Sequence, residues 1–129
     1  MKILLTSAES LRLEPAGGPL TIEAPTAEMS YGPFHMLGSS LAMCTFSVLQ
    51  SWATNKNLRV DDLRIDVSWS FTEKPHRVGQ IKVKLEWPSL PADMWPRAFR
   101  VADLCGIHNT LSHPPQIVVE EADAKAAVT

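Results

Sequence analysis

The chain has 129 residues, 45% of them hydrophobic and 20% charged, with a formal net charge of −2. That length fits one domain with a moderate core, and the composition excludes a disordered chain. The charge leaves no basic footprint for nucleic acid or for an anionic membrane surface.

The first residues, MKILLTSAES, hold one Lys and an apolar run too short for a signal-peptide core, so a cytoplasmic protein is expected. Residues 1–30 read as short strands at Ile3 to Leu5, Leu11 to Leu13 and Leu20 to Ile22. Ser7 to Ser10 and the PAGGP run ending at Pro19 punctuate them.

Residues 32–55 form the stretch around which the rest is organised. From Gly32 to Asn55 no residue carries a formal charge, apart from any proton on His35. Pro33 suits a first helical turn, where its missing N–H has no partner to lose. Leu37, Leu41, Cys44, Val48 and Trp52 form a helical stripe, and Phe34, Met36, Met43, Phe46 and Leu49 cover other faces. A helix apolar nearly all round belongs in an interior. Its length also suits a membrane span. Gly38, Ser39, Ser40, Thr45, Ser47, Gln50 and Ser51 argue against one, as does the lack of a polybasic flank or aromatic belt.

Residues 58–87 read as a hairpin. Leu63, Ile65, Val67, Trp69 and Phe71 alternate with polar residues, as do Ile81, Val83, Leu85 and Trp87. The segment EKPHR, Glu73 to Arg77, is the turn between them. A second helix is expected over residues 91–105, regular from Pro96. It places Ala98, Val101, Ala102 and Cys105 inward, with Gly106 as its C-terminal cap. His108 to Leu111 fit a further turn of helix, Gln116 to Glu120 a last strand, and residues 122–129 a frayed tail.

Strands, long helix, hairpin, helix and strand make an α+β fold: an antiparallel sheet packed on the helix that carries Cys44. One domain is expected over residues 1–129. A sheet covers one side of an all-round apolar helix, so a second subunit related by two-fold symmetry is expected on the other.

The segments around the two cysteines resemble the OsmC/Ohr family of hydroperoxide-detoxifying proteins. GPFHMLGSSLAMC is similar to the family's Gly-x-Pro, Leu and small-residue run that ends in the reactive cysteine of a long helix. VADLCGIHNTL is similar to its Cys-x-His-x-Thr-Leu-type segment, with two residues here between Cys105 and His108. The resemblance covers residue 32 to about residue 120, and the spacing of the cysteines is of the family's kind. It implies an intertwined homodimer with sites at the subunit interface. It implies Cys44 as the peroxidatic cysteine and Cys105 as the resolving one, an organic hydroperoxide as substrate and an external dithiol as reductant. It implies no bound cofactor. Two departures stand out. Many members have Glu just after the proline, where this chain has Phe34 and His35. The peroxidase branch also uses an N-terminal arginine, for which Arg12 is the one candidate.

The chemistry needs a thiolate at Cys44, since the thiol is a poor nucleophile. Burial in an apolar helix raises a cysteine pKa, so a cation is expected to offset it, with Arg12 and His35 the candidates. The competing readings are a solvated Arg12, a packed His35 and two inert buried cysteines. His108 either tunes Cys105 or caps a helix end. Zinc on Cys44, Cys105, His35 and His108 has no tight ligand pair behind it, and no metal is expected. Trp52, Trp69, Trp87, Trp95, Met36, Met43 and Met94 read as core, some of them able to line a pocket for the organic part of a peroxide. The alternative function is a catalytically silent member of the same fold that binds a small apolar or sulfur-containing ligand at the dimer interface.

Overall fold

The structure, a computed structural model, describes residues 3–7, 10–13 and 32–122. Its contacts divide the chain into two compact units, Met1–Ser30 and Tyr31–Thr129. In the first unit β1 (Ile3–Ser7) and β2 (Ser10–Leu13) pair antiparallel, with Ile3 opposite Leu13, Leu4 opposite Arg12 and Leu5 opposite Leu11. The strand expected at Leu20 to Ile22 lies outside the described residues.

The second unit begins with α1 (Pro33–Asn55). Pro33 opens it, and Asn57 closes it from the left-handed region at φ 55°. There Leu58 N–H donates to Ala53 at 2.9 Å and Asn57 N–H to Thr54 at 3.2 Å. This double closure turns the chain sharply and satisfies carbonyls that the helix end would otherwise orphan.

The buried stripe of α1 is Gly38, Leu41, Thr45, Leu49 and Ala53. It lies about one position away from the expected stripe, whose Leu37, Cys44, Val48 and Trp52 are half-buried. Counting large apolar side chains misses the deepest line, because small residues let the backbone itself approach the sheet. A Cβ on Gly38 would stand 3.2 Å from the Trp69 ring.

The hairpin is β3 (Arg64–Thr72) with β4 (Arg77–Glu86), antiparallel. Ile65, Val67 and Trp69 face Leu85, Val83 and Ile81 across the ladder. Arg64 lies opposite Glu86 and Asp66 opposite Lys84, so the wet face pairs unlike charges. Between Ser70 and Phe71 the register shifts, and Gly79 is the extra residue. A Cβ there would stand 2.8 Å from Thr72 Cγ2, so only glycine fits. The first strand starts at Arg64 rather than residue 58. Residues 58–63 instead form a loop in which Leu63 N–H donates to Val60, and Asp62 accepts from both the N–H and the hydroxyl of Ser89 at 2.7 Å.

The core joins Leu49 and Ala53 of α1 to Leu63, Trp87, Leu90 and Ala98. Trp87 is anchored by its Nε1–H, which donates to the Arg59 carbonyl at 2.7 Å. The helix expected over 91–105 is shorter and divided: a 3₁₀ turn at Ala92–Met94, then α2 (Trp95–Ala102). Gly106 does not cap it. Gly106 opens a third helix, α3 (Gly106–Ser112), longer than the turn expected at His108 to Leu111. Residues 116–120 form no strand in the described chain; Ile117 and Val119 are 83% and 94% exposed. A strand sequence needs a ladder partner, and this segment has none among the described residues.

Candidate functional site

The break between α2 and α3 positions the site. Leu104 N–H donates to Val101 at 3.0 Å and Cys105 N–H to Ala102 at 3.3 Å, which unwinds α2. Cys105 itself is extended, at φ −59° and ψ 128°, and serves as the N-cap of α3. Its Sγ accepts the His108 N–H at 3.4 Å. The reversal turns the start of α3 back onto the middle of α1, which packs against both α2 and α3.

This brings the two cysteines together. Cys44, half-buried on α1, and Cys105, wholly buried, are free thiols close enough for each to shift the other's pKa. The N–H groups of Ile107 and Gly106 also donate to Cys44. Burial pushes the Cys44 thiol up, but the bonds from Cys105, Ile107 and Gly106 outweigh it, and its pKa falls below the ordinary thiol value. Cys105 moves the other way. Burial raises it first, its hydrogen bond to Cys44 raises it further, and the His108 and Ile107 amides offset this only in part. The pair is therefore polarised, with Cys44 moved toward the thiolate and Cys105 toward the thiol.

Among the described residues the groups that lower the Cys44 pKa are neutral. His35 sits nine residues before Cys44, roughly 14 Å along the helix axis. It is exposed, and its ring meets Trp69 edge-on at 5.1 Å. The structure does not bring it to the cysteine pair. Arg12 pairs with Leu4 in β2, and its side chain lies outside the described residues. The first turn of α1 carries no acidic residue. Phe34 there packs edge-on against Phe71 at 5.0 Å. His108 meets Cys105 through its backbone N–H; its ring Nε2 lies 3.9 Å from Asp103 Oδ1. It caps neither end of α3: it lies inside the helix, and Cys105 is the N-cap.

Sequence reasoning missed the Gly106 and Ile107 amides, since backbone donors leave no residue-type signature. The one available signal was Gly106 directly after Cys105. Nothing lies within 4 Å of where its Cβ would stand, so the glycine is not there for want of space. Also missed was a cleft of 820 Å³ beside the pair. Leu37, Leu41 and Thr45 of α1, Ile81 and Val83 of β4 and Leu111 of α3 line its apolar part, with Arg77 and Asp103 among its polar residues. Among the described residues none of the tryptophans and none of Met36, Met43 and Met94 lines it, while Trp69 lines a smaller pocket with Leu37 and Ile81. Among the described residues no three His, Cys, Asp or Glu side chains group as metal ligands, and no helix is long and apolar enough to cross a membrane.

The polarised pair has a pH signature. Folding lowers the Cys44 pKa, so its thiolate is populated at pH values where an unfolded thiol, with a pKa of about 8.5, is still protonated. The stability this contributes is present above the unfolded pKa and is lost as pH falls through the folded one. For Cys105 the signs reverse: its contribution is present below the unfolded pKa and is lost as pH rises through the folded value. Alkylation by iodoacetamide, mapped by mass spectrometry from pH 6 to 10, is expected to label Cys44 first and Cys105 last. In denaturant the two labelling curves merge. Equal curves in the folded protein would contradict the polarised pair.

A family model described as OsmC-like protein matches residues 26–120. A crystal structure of an osmotic stress induced and detoxification response protein from Psychrobacter arcticus 273-4 is similar at a TM-score of 0.57 and 16% identity. The likeness covers 65% of this chain and 62% of that one, so this chain spans under two thirds of that protein's length. No curated protein matches the sequence.

Proposed function

Because the chain belongs to the OsmC-like protein family, we propose that it is a thiol-dependent reductase of organic hydroperoxides, cytoplasmic and homodimeric. Its two cysteine segments point to that family, and its α+β architecture agrees with the family's known fold. One observation carries the reading: Cys44 and Cys105, far apart in sequence, are brought close enough for each thiol to shift the other's pKa.

The chemistry follows from that polarity. The Cys44 thiolate attacks one peroxide oxygen; an S–O bond forms and the O–O bond breaks. The alkoxide leaves, takes a proton and departs as the alcohol, and Cys44 is left as a sulfenic acid. Sulfur has lost two electrons and the peroxide has gained them. The Cys105 sulfur then displaces hydroxide from Cys44, and its proton leaves with that hydroxide as water. The product is a disulfide, which an external dithiol reduces with two electrons. Contact between the sulfurs favours the second step over oxidation to the sulfinic acid. Arg12 belongs to the proposal as the family's activating arginine. His35 has no part in it, given its distance along α1.

The cleft supports a second reading. Cys44 does not line it although its neighbour Thr45 does, as suits a silent member of the fold that holds a small apolar ligand. Thiol counting separates the two. Reduced protein mixed with one equivalent of cumene hydroperoxide is expected to lose two thiols per chain and to yield the alcohol. Unchanged thiols at millimolar peroxide would leave only the ligand-binding reading.

A further inference from the structure

We infer that closing a disulfide between Cys44 and Cys105 uncaps α3 and loosens it, opening the buried sulfur to the dithiol that must reduce it. The inference deepens the proposed function and rests on its thiol–disulfide cycle.

One sulfur has two incompatible duties. In the reduced protein Cys105 Sγ accepts the His108 N–H at 3.4 Å and so holds the first turn of α3. It also meets Cys44. A disulfide fixes the sulfurs ~2.05 Å apart, far closer than any hydrogen bond between them. Because α1 is long and anchored in the core by Leu49 and Ala53, the Cys105 side chain is the part that swings. The swing carries Sγ toward α1 and away from the His108 amide, whose bond is already long.

Beyond its packing on α1, little else holds α3. It has seven residues, none of them buried. Helices this short do not persist in water without packing or caps. It starts at Gly106, a residue with high backbone freedom, and Pro114 and Pro115 follow its end. Its own side chains add one bond along the helix, Thr110 Oγ1 to the Gly106 carbonyl at 2.8 Å. His108, Leu111 and Ser112 form one wall of the cleft, so loosening α3 also moves that wall.

The consequence falls on reduction. Cys105 is 0% exposed in the reduced state, and an external thiolate must reach a disulfide sulfur to form the mixed disulfide. That attack breaks the Cys44–Cys105 bond and releases one protein thiolate, which takes a proton. The reductant's second thiol then displaces the remaining sulfur, and its two sulfurs leave joined as a disulfide. A closed α3 blocks the first of these steps at Cys105, whereas an uncapped α3 admits it. Reduction restores the cap and closes the site.

Diamide makes the disulfide without any hydroperoxide, which separates this inference from the peroxidase reading. Amide exchange of the full chain is to be measured by NMR before and after diamide, with the disulfide confirmed by mass. The His108 amide is expected to exchange roughly five-fold faster in the oxidised form, the scale of a lost helix cap. Cys105→Ser keeps a strong capping hydroxyl and forms no internal disulfide, so diamide should leave its exchange unchanged. A confirmed disulfide with unchanged exchange at His108 overturns the inference, and so does failure of diamide to join the two cysteines within one chain. Loss of thiols to hydroperoxide with no change at His108 would sink the switch and leave the peroxidase standing.

Discussion

Cys44→Ser is expected to bring hydroperoxide turnover to the uncatalysed background, a loss on the order of a thousand-fold or more, as for other covalent nucleophiles. A serine hydroxyl at this site keeps the shape and still accepts from Gly106 and Ile107. What it lacks is acidity and the polarisable sulfur that attacks an O–O bond. Cys105→Ser tests the partner role. The first step survives, so one equivalent of peroxide should consume one thiol per chain and leave a sulfenic acid that dimedone traps. Excess peroxide should then drive Cys44 on to the sulfinic acid, because no second thiol intercepts it. The two variants differ in kind: one has no chemistry, the other has a single unprotected turnover. Equal activity in wild type and Cys44→Ser would refute the assignment of the nucleophile.

The second large effect concerns stability. Trp87→Ala is expected to cost about 3–5 kcal/mol, read from urea denaturation at an unchanged m value. Trp87 is 2% exposed, meets Trp52 edge-on at 6.2 Å, and packs with Leu49, Ala53, Leu63, Leu90 and Ala98. Removing the indole leaves a cavity where the hairpin, α1 and α2 meet. Trp87→Phe separates packing from polarity. It keeps most of the ring but loses the Nε1–H bond to the Arg59 carbonyl at 2.7 Å. That bond spans 28 residues of chain and pins the loop before β3 to the end of β4. Its loss is expected to cost about 1–2 kcal/mol, softened because the Ser89 hydroxyl lies 3.5 Å from the same carbonyl. A Trp87→Ala protein as stable as wild type would mean that the core is centred elsewhere.

The long helix and the hairpin were legible because their signals are periodic. Pro33 to Asn55 matches the charge-free stretch, and the alternation of Ile65, Val67 and Trp69 against Ile81, Val83 and Leu85 matches the ladder. What periodicity misses is backbone behaviour. Gly38 and Ala53 are buried on α1, yet, being small, they count for least in a hydrophobic pattern. The end of α2 carries no proline or glycine stop, so residues 91–105 read as one helix and Cys105 as its inward face. The break at Ala102 makes Cys105 a cap instead, and only that role explains its bond to His108. The neutral groups that favour the Cys44 thiolate are another case of that blindness. Charged side chains are visible in a sequence, and the amides of Gly106 and Ile107 are not.

The bulge at Gly79 has a bearing on the whole tip of the hairpin. Ile81, Val83 and Leu85 occupy odd positions, while Val78, which pairs with Phe71, occupies an even one. The glycine is a phase correction: it absorbs one half-period so that Val78 can share a side of the ribbon with Ile81. Excising that single residue would leave a smoother ribbon in plain alternation, with Val78 beside Gln80 and still opposite Phe71. The phase of the tip would survive, and what the ribbon would lose is the local kink and added twist of the bulge.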